Sequence, residues 1–540
     1  MKRVVIIGGG ITALAAAHRL LEHAASTGRQ VDLTLLEASG RTGGIVQTRE
    51  REGFLLESGP DAFISEKPEA LELAQRLGLE SHLIETNERH RRSFVVRQGR
   101  LLPLPEGFHL LAPSRFWPFL KSDILSWPGK ARVALELLLP RKRQNGKPFD
   151  KRAAGPTAFN DDETDESLAD FVRRRLGTEA LERVAQPLVG GIYTADPEQL
   201  SLRATMPRFL EMEREHGSLI RALRRRSSPT VREGVELKGG REASGARYSL
   251  FLSFDRGMQL LTDTLAERIS NFSSEISNLK SESSTDAPPS SDSAQPRVSI
   301  RLNTAVESLS LTRRVATGEE AKRNAATAET IGTWTITTTN NQTLTADAVC
   351  VGLPAYLSAR LLREVDAQLA AELEAIPYAS SATINLAYQR DDIPHPLDGF
   401  GFVVPFIEKR TLMACTFSSV KFAGRAPQGQ ALLRAFAGGA LQPELFALDE
   451  SELISRVRAD LRELLGIERA PLFVEVNRWA RSLPQYHVGH LERVKRIEAR
   501  VASLPGLALA GNAYSGLGLP DCIRSGWEGA EALSQTKSIC

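Results

Sequence analysis

Apolar and polar positions along this chain switch repeatedly between unbroken runs, which suit buried strands, and 3.6-residue stripes, which suit helices. Val4-Val5-Ile6-Ile7 runs into Gly8-Gly9-Gly10, and a helical stretch with Leu14, Ala17, Leu20 and Leu21 on one face follows. A second apolar strand, Leu33 to Leu36, ends on Glu37. Pro68 to Leu77 and Leu168 to Leu181 read as amphipathic helices, the second capped by Ser167. Gly257 to Ile269 predicts another helix, then a strand over Val298 to Leu302 and a segment Ala305 to Leu309. Thr333 to Thr339 and Gln342 to Thr345 alternate about Asn340-Asn341, a hairpin that delivers the buried run Ala348 to Leu353. Thr383 to Tyr388, Phe400 to Val404, Thr411 to Phe417 and Ala431 to Ala437 predict a second sheet. The apolar strand Leu507 to Ala510 then leads through a glycine-rich turn into a helix from Pro520 to Leu533. No internal repeat is visible.

Four stretches interrupt this pattern and read as surface insertions: Arg141 to Glu166, Arg224 to Arg247, Ser281 to Pro296 and Arg313 to Thr330. The third, SESSTDAPPSSDSAQP, is low in complexity and belongs to an insertion over 271–296 expected to be disordered.

The glycine turns carry the candidate chemistry. In Gly8-Gly9-Gly10-Ile11-Thr12-Ala13, Gly8 permits the tight turn, Gly10 lets backbone approach a pyrophosphate, and small Ala13 packs helix on strand. The helix N-terminus then faces the phosphates, and Glu37 can accept hydrogen bonds from a ribose. Ala38-Ser39-Gly40-Arg41-Thr42-Gly43-Gly44 adds a second bare loop on the same cofactor, which points to FAD rather than a nicotinamide. Gly511 to Cys522 repeats strand, glycine turn and helix, so a second helix N-terminus aims at the flavin's pyrimidine edge. Lys2-Arg3 before an apolar stretch superficially resembles a secretory signal peptide, but three consecutive glycines break the helix that such a peptide needs.

Bulk properties narrow the picture further. With 540 residues the chain can fill two or three domains. A net charge of +2 with 25% charged residues gives no reason to expect nucleic acid. Cys350, Cys415, Cys522 and Cys540 form no CxxC pair and no His/Cys cluster, which argues against a metal or a disulfide scaffold and fits a reducing cytoplasm. No run of 18 apolar residues exists. Leu101 to Leu139 holds Phe108, Leu110, Leu111, Phe116, Trp117, Phe119, Leu120 and Trp127, with Lys121, Lys130 and Arg132 nearby. These side chains either line an internal cavity or core, or sit peripherally at the inner membrane surface.

Both ends together resemble the oxygen-dependent porphyrinogen oxidases of haem biosynthesis, nearest the soluble bacterial type, a group that oxidises coproporphyrinogen III or protoporphyrinogen IX. The resemblance rests on VVIIGGGITALAAA at 4–17, LTLLEASGRTGG at 33–44, ESGPDAFISEK at 57–67 and SLADFVRRRLG at 167–177. PLVGGIYTADPEQLSL at 187–202, LPQYHVGH at 483–490 and GLGLPDCIRSG at 516–526 complete it. It implies an α/β, amine-oxidase-like flavoprotein fold: a discontinuous Rossmann-like FAD-binding domain (1–75, 250–360 and 495–535), an α+β substrate domain (370–490) and a mainly helical domain (76–249). FAD contacts are implied at Gly8, Gly9, Gly10, Ile11, Thr12, Ala13, Glu37 and Gly44. Ser58, Gly59, Pro60 and Asp61 would lie beside the isoalloxazine, Val306 would offer backbone to the adenine, and Trp479 with Gly516, Leu517 and Gly518 would close the other side. Ala13 stands where the family usually has glycine. Ser93 stands where plant and animal members place a propionate-binding arginine, while Lys67 matches a lysine of the bacterial type and could reach a propionate.

The implied reaction removes six hydrogens from a porphyrinogen by three hydride transfers to FAD, each followed by reoxidation with O2 and release of H2O2. No Ser/His/Asp set, carboxylate pair or metal cluster is needed, because the flavin carries the chemistry. Gly191, Phe402 and Phe422 are candidate walls for the flat macrocycle. Two other readings stay open: another FAD oxidase of this fold, such as an amine oxidase or carotenoid desaturase, and a non-catalytic porphyrin or flavin carrier.

Overall fold

A computed structural model describes residues 2–106, 108–109, 112–113, 115–141, 165–226, 251–282, 297–315 and 330–535. The chain begins with strand β1 (Lys2–Ile7), helix α1 (Ile11–Thr27) and strand β2 (Val31–Leu36). β1 is the centre of a five-stranded parallel sheet in the order Val298–Arg301, β2, β1, Ala348–Val351, Leu507–Leu509. Segments far apart in sequence therefore complete one sheet, as a Rossmann-like arrangement built from a discontinuous chain requires. Consecutive apolar residues suit β1 because both faces of a parallel sheet are covered. Val4 and Ile6 join Leu33 and Leu35 in the core under α1, whereas Val5 and Ile7 face a second core around Trp334 and Ile336. That second core lies under the three strands Val306–Val315, Thr330–Thr338 and Thr343–Ala346, which turn at Asn340 and Asn341 as their alternation predicts.

The second sheet has seven strands. One edge is β5 (Phe473–Pro484), followed by β3 (Tyr378–Gln389) and β4 (Gln430–Gly438) in antiparallel pairings. Ala414–Phe417 and Gly401–Val403 follow β4, and the far edge is Phe94–Arg97 with Arg100–Pro103. Those last two strands come from the stretch 76–249 expected to be mainly helical, and the α-helices of that unit begin only after them, at Phe116. The helix Glu450–Leu465 covers one face of the sheet through Leu453, Val457 and Leu461.

Two further expectations change. The helix expected over Leu168 to Leu181 stops at Arg175, because Gly177 takes φ +94, and the chain then restarts through Thr178–Ala180 toward Gln186–Tyr193. Its cap is as read: the Asp170 amide donates to Ser167 Oγ at 3.0 Å. The insertion expected to be disordered over 271–296 starts as helix, since Gln259–Glu282 runs well past Ile269. Residues 283–296, and most of the other three insertions, lie outside the described residues.

The C-terminal helix α2 (Leu519–Gln535) packs on α1. Gly526 makes this approach close, for a Cβ there would lie 2.3 Å from the carbonyl oxygen of Thr12. Two helix N-termini are thereby fixed side by side at one end of the first sheet.

Candidate flavin site

The site is built from backbone. Gly8 takes φ +105, and a Cβ on it would lie 2.8 Å from the Gly352 carbonyl oxygen, so the turn after β1 admits only glycine. Gly10 is the N-cap of α1; no side chain caps it, and a Cβ there would meet nothing within 4 Å. An open space in front of an uncapped helix N-terminus fits a pyrophosphate. Ile11, Thr12 and Ala13 are buried in the first turn behind it. Ala13 is accommodated by Gly352 opposite, whose own Cβ would come within 2.9 Å of Ala13 Cβ.

The second glycine loop lies directly on the first. The Gly43 amide donates to Gly9 O at 2.8 Å, and Gly44, at φ +58, would bring a Cβ to 3.2 Å from Gly10 Cα. Arg41 braces the loop by donating to the carbonyls of Thr42, Gly44 and Val46. Glu37 accepts from the Gly9 amide at 2.6 Å with one oxygen, and from the Ser39 amide at 2.8 Å and Ser39 Oγ at 2.7 Å with the other. The backbone of Glu37 accepts from the Thr304 amide, which brings the start of Val306–Val315, and so Val306, to the same strand end.

Ser58, Gly59, Pro60 and Asp61 form a third loop that presses on the second: a Cβ on Gly59 would lie 1.8 Å from Ile45 O. The second sheet holds this loop from behind. Ser58 O accepts from Trp479 Nε1 on β5 and from Thr383 Oγ1 on β3, both at 2.9 Å. Asn385 on β3 donates to Glu57 O, and Arg434 on β4 donates to Gly59 O. Asp61 accepts from Lys421 Nζ at 2.9 Å and lies 3.9 Å from Arg434. Burial alone would raise the Asp61 carboxyl, but Lys421 and Arg434 outweigh it and hold it down at about 2. Glu57, buried beside the Met258 amide and Thr48 Oγ1, is instead raised by its burial.

A fourth loop closes the C-terminal side. Gly516, at φ +126, donates its amide to Tyr486 Oη at 2.8 Å, and that hydroxyl donates to Asn512 O at 2.6 Å. Leu517 packs against the helical unit's core. The Gly518 amide donates to Asp521 at 3.1 Å, and Asp521 is only 3% exposed. Both of its oxygens accept from Lys67 Nζ at 2.6 Å, and Arg524 adds a second cationic donor.

These contacts correct three expectations. The Lys67 ammonium is engaged by Asp521, so it ties the segment after the third loop to α2 rather than standing ready for a propionate. Phe402 and Phe422, at 2% and 1% exposure, are core residues and not walls. Phe402 packs on Phe417, and Phe422 carries Lys421 and Arg425 over its ring. Gly191 is exposed and faces Val403 across the boundary between the helical unit and the second sheet. Thr383, Asn385, Lys421, Arg434, Tyr486 and Asp521 are site residues that the sequence did not single out. Tyr486 and Asp521 at least lie inside motifs carrying the resemblance, whereas inward polar residues on a sheet strand give no local signal.

Burial pushes the Cys522 thiol up to about 12, with Asp521 adding to the effect, so the site holds no ready thiolate for covalent attachment. Among the described residues no group of three or more His, Cys, Asp or Glu is placed to hold a metal ion, and no helix is long and apolar enough to cross a membrane.

Residues 13–534 match the family model described as flavin containing amine oxidoreductase. The chain is 30% identical over 526 residues to a coproporphyrinogen III oxidase of Bacillus subtilis (strain 168), covering 97% of this chain and 96% of that one. It is 33% identical over 533 residues to a coproporphyrinogen III oxidase of Propionibacterium freudenreichii subsp. freudenreichii, covering 98% and 90%. A crystal structure from Exiguobacterium sp. 255-15, of a protein proposed to be a protoporphyrinogen oxidase, superposes with a TM-score of 0.74 at 29% identity and 98% coverage of each chain. FAD is the cofactor.

Two outcomes follow from the geometry. Lys67→Ala should weaken FAD binding threefold to tenfold, the worth of about 1 kcal/mol for a half-exposed ion pair, with little change in substrate KM; a propionate anchor would show the reverse, a raised KM with FAD affinity intact. Asp61 has a folded-state pKa below its ordinary value of 3.8, so its stabilisation is full above pH 4 and is lost as the pH falls toward 2. Urea titrations across that window should show a shallower acid-side loss of stability in Asp61→Asn than in the parent protein.

Proposed function

The chain belongs to the flavin containing amine oxidoreductase family, and within it we propose that this protein oxidises a porphyrinogen to a porphyrin in haem synthesis, with coproporphyrinogen III favoured over protoporphyrinogen IX. It is an FAD-dependent oxidoreductase. The observation that carries the reading is near-full-length identity of 30% and 33% to two bacterial coproporphyrinogen III oxidases. Bound FAD supplies a two-electron acceptor, so loss of six hydrogens corresponds to three turnovers, each passing two electrons to O2 and releasing one H2O2.

The protein's share of the work is positioning. The N-terminus of α1 and the Gly43–Gly44 loop present backbone N–H groups and open space to the dinucleotide. Glu37 fixes the Gly9 and Ser39 amides and so holds the ribose end of the cradle in shape. Thr383, Trp479 and Arg434 set the height of the Ser58–Asp61 loop beside the reacting ring, and Tyr486 sets that of Gly516. A flat substrate enters from the side of the second sheet and the helical unit, where Gly191 is exposed.

The helical unit supports a second part of the proposal, peripheral contact with a lipid surface. Trp117 and Trp127 are 72% and 71% exposed, and Leu135 and Leu138 are 50% and 77% exposed on the same stretch of chain. Single exposed apolar residues are ordinary, but two tryptophans and two leucines within 22 residues of one segment suit an interface.

Anaerobic mixing of the FAD-loaded protein with coproporphyrinogen III or protoporphyrinogen IX tests the activity. Flavin absorbance should bleach faster with the former, and air should then yield three H2O2 per porphyrin formed. Unbleached flavin with both substrates would reject the reading. For the lipid contact, the protein should sediment with anionic vesicles, and Trp117→Ser with Trp127→Ser should abolish this; equal sedimentation of parent and variant rules the surface out.

A further inference from the structure

Behind the Ser58–Asp61 loop lies a group of charged side chains that binding of the cofactor does not by itself explain. Glu57, Lys421, Arg425 and Arg434 are 4%, 8%, 2% and 4% exposed, and Asp61 closes the group at the loop itself. Lys421, Arg425 and Arg434 face Glu57 and Asp61, and Asp255 adds a third, more exposed carboxylate near Arg425. Lys421 is held by Asp61 at 2.9 Å, and Arg425 donates to Ser253 Oγ at 2.8 Å and Phe254 O at 2.9 Å. Arg434 points up the sheet at the carbonyls of Ser58 and Gly59.

The layer between the loop and the sheet is incompletely paired. Ser58 Oγ, Asn385 Oδ1 and Arg434 Nε are all buried without a hydrogen-bond partner. Asn385 and Arg434 are direct cross-strand partners on β3 and β4, and both reach the loop's backbone, so these orphaned atoms belong to one place. An arrangement serving only to clamp the loop gains nothing from buried, unpaired polar atoms or from charges held out of water, since both are costly. The same charges act strongly on a neighbouring group, because little solvent screens them.

We propose that Lys421 and Arg434, opposed by Asp61, form an electrostatic counter-charge that acts through the Ser58–Asp61 loop to stabilise the negative charge gained by the flavin on reduction. The proposal rests on the FAD site described above. Lys421 and Arg434 are positioning residues: they touch the loop, and their effect on the cofactor is through the field. Asp61 tempers that field, so its removal and the removal of Lys421 act in opposite directions. A clamp has no such antisymmetry, because loss of either partner of one ion pair loosens the same loop.

The test uses the full chain loaded with FAD, with sulfite as the probe because the flavin–sulfite adduct carries negative charge on the ring system, and the flavin midpoint potential as the second readout. Lys421→Met should weaken sulfite binding about tenfold and lower the potential, and Asp61→Asn should strengthen sulfite binding by a similar factor and raise the potential. Lys421→Arg, which keeps the charge, should behave as the parent. Variants that retain FAD but share the parent's sulfite affinity and potential overturn the proposal, as do variants in which both readouts move the same way. Should Lys421→Met fail to fold, Asp61→Asn alone decides: unchanged or weakened sulfite binding rejects the counter-charge. If the parent chain takes up no FAD, the FAD reading itself falls, an outcome separate from FAD-loaded variants with unmoved potentials.

Discussion

Three stretches of backbone meet at one point with no room for a side chain between them. Gly43 hydrogen-bonds Gly9, Gly44 lies on Gly10, and Gly59 lies on Ile45 at a distance that no Cβ could occupy. Everything else about the site depends on this contact. It joins the loop after β1, the loop after β2 and the Ser58–Asp61 loop into one surface of N–H and C=O groups around an open helix N-terminus. Residues with side chains there would push the loops apart and fill the space in front of α1. The strain of positive φ at Gly8, Gly43 and Gly44 is the conformational cost of the arrangement, and glycine keeps that cost low.

Bare loops of this kind have few contacts of their own, so their positions are set from outside. The second sheet does this for Ser58 and Gly59 through donors on three neighbouring strands: Trp479 on β5, Thr383 on β3 and Arg434 on β4. Tyr486, Asp521 and Lys67 do it for the C-terminal loop. The discontinuity of the fold therefore has a functional consequence. Each loop of the cradle is contributed by one part of the chain and held by another, so the site exists only when the distant segments have assembled.

The division between what was legible in the sequence and what was not follows the range of the interactions. β1, α1, β2, the hairpin at Asn340-Asn341 and the Ser167 cap are encoded within a few residues, and the structure has them. The glycine turns were legible because a backbone requirement leaves a compositional trace. β5 was missed because its polar and charged residues are half-buried rather than alternating, and Phe94–Arg97 because a short strand pairing with Gly401–Val403 is defined by a partner far away in sequence. Lys67 illustrates the same limit in the site. Its spacing from Gly59 allowed a reach toward substrate, but its partner, Asp521, lies 454 residues further on. Phe402 and Phe422 were aromatic at strand ends, and only the packing of the second sheet shows that both are enclosed.

The carboxylates around the cradle share one fate. Glu37 accepts from the Gly9 and Ser39 amides, Glu57 from the Met258 amide and Thr48, Asp61 from Lys421, and Asp521 from the Gly518 amide, Lys67 and Arg524. None stands ready as a general base, and each is used to fix a donor or a cation in place. The N-terminus of α1 stays uncapped and opens on the cradle, and the cations lie buried behind the third loop. A site organised in this way does not need to move protons with its side chains. The uncapped N-terminus of α1 offers room for a dinucleotide diphosphate. The acids are spent on architecture, and the redox chemistry is left to the cofactor.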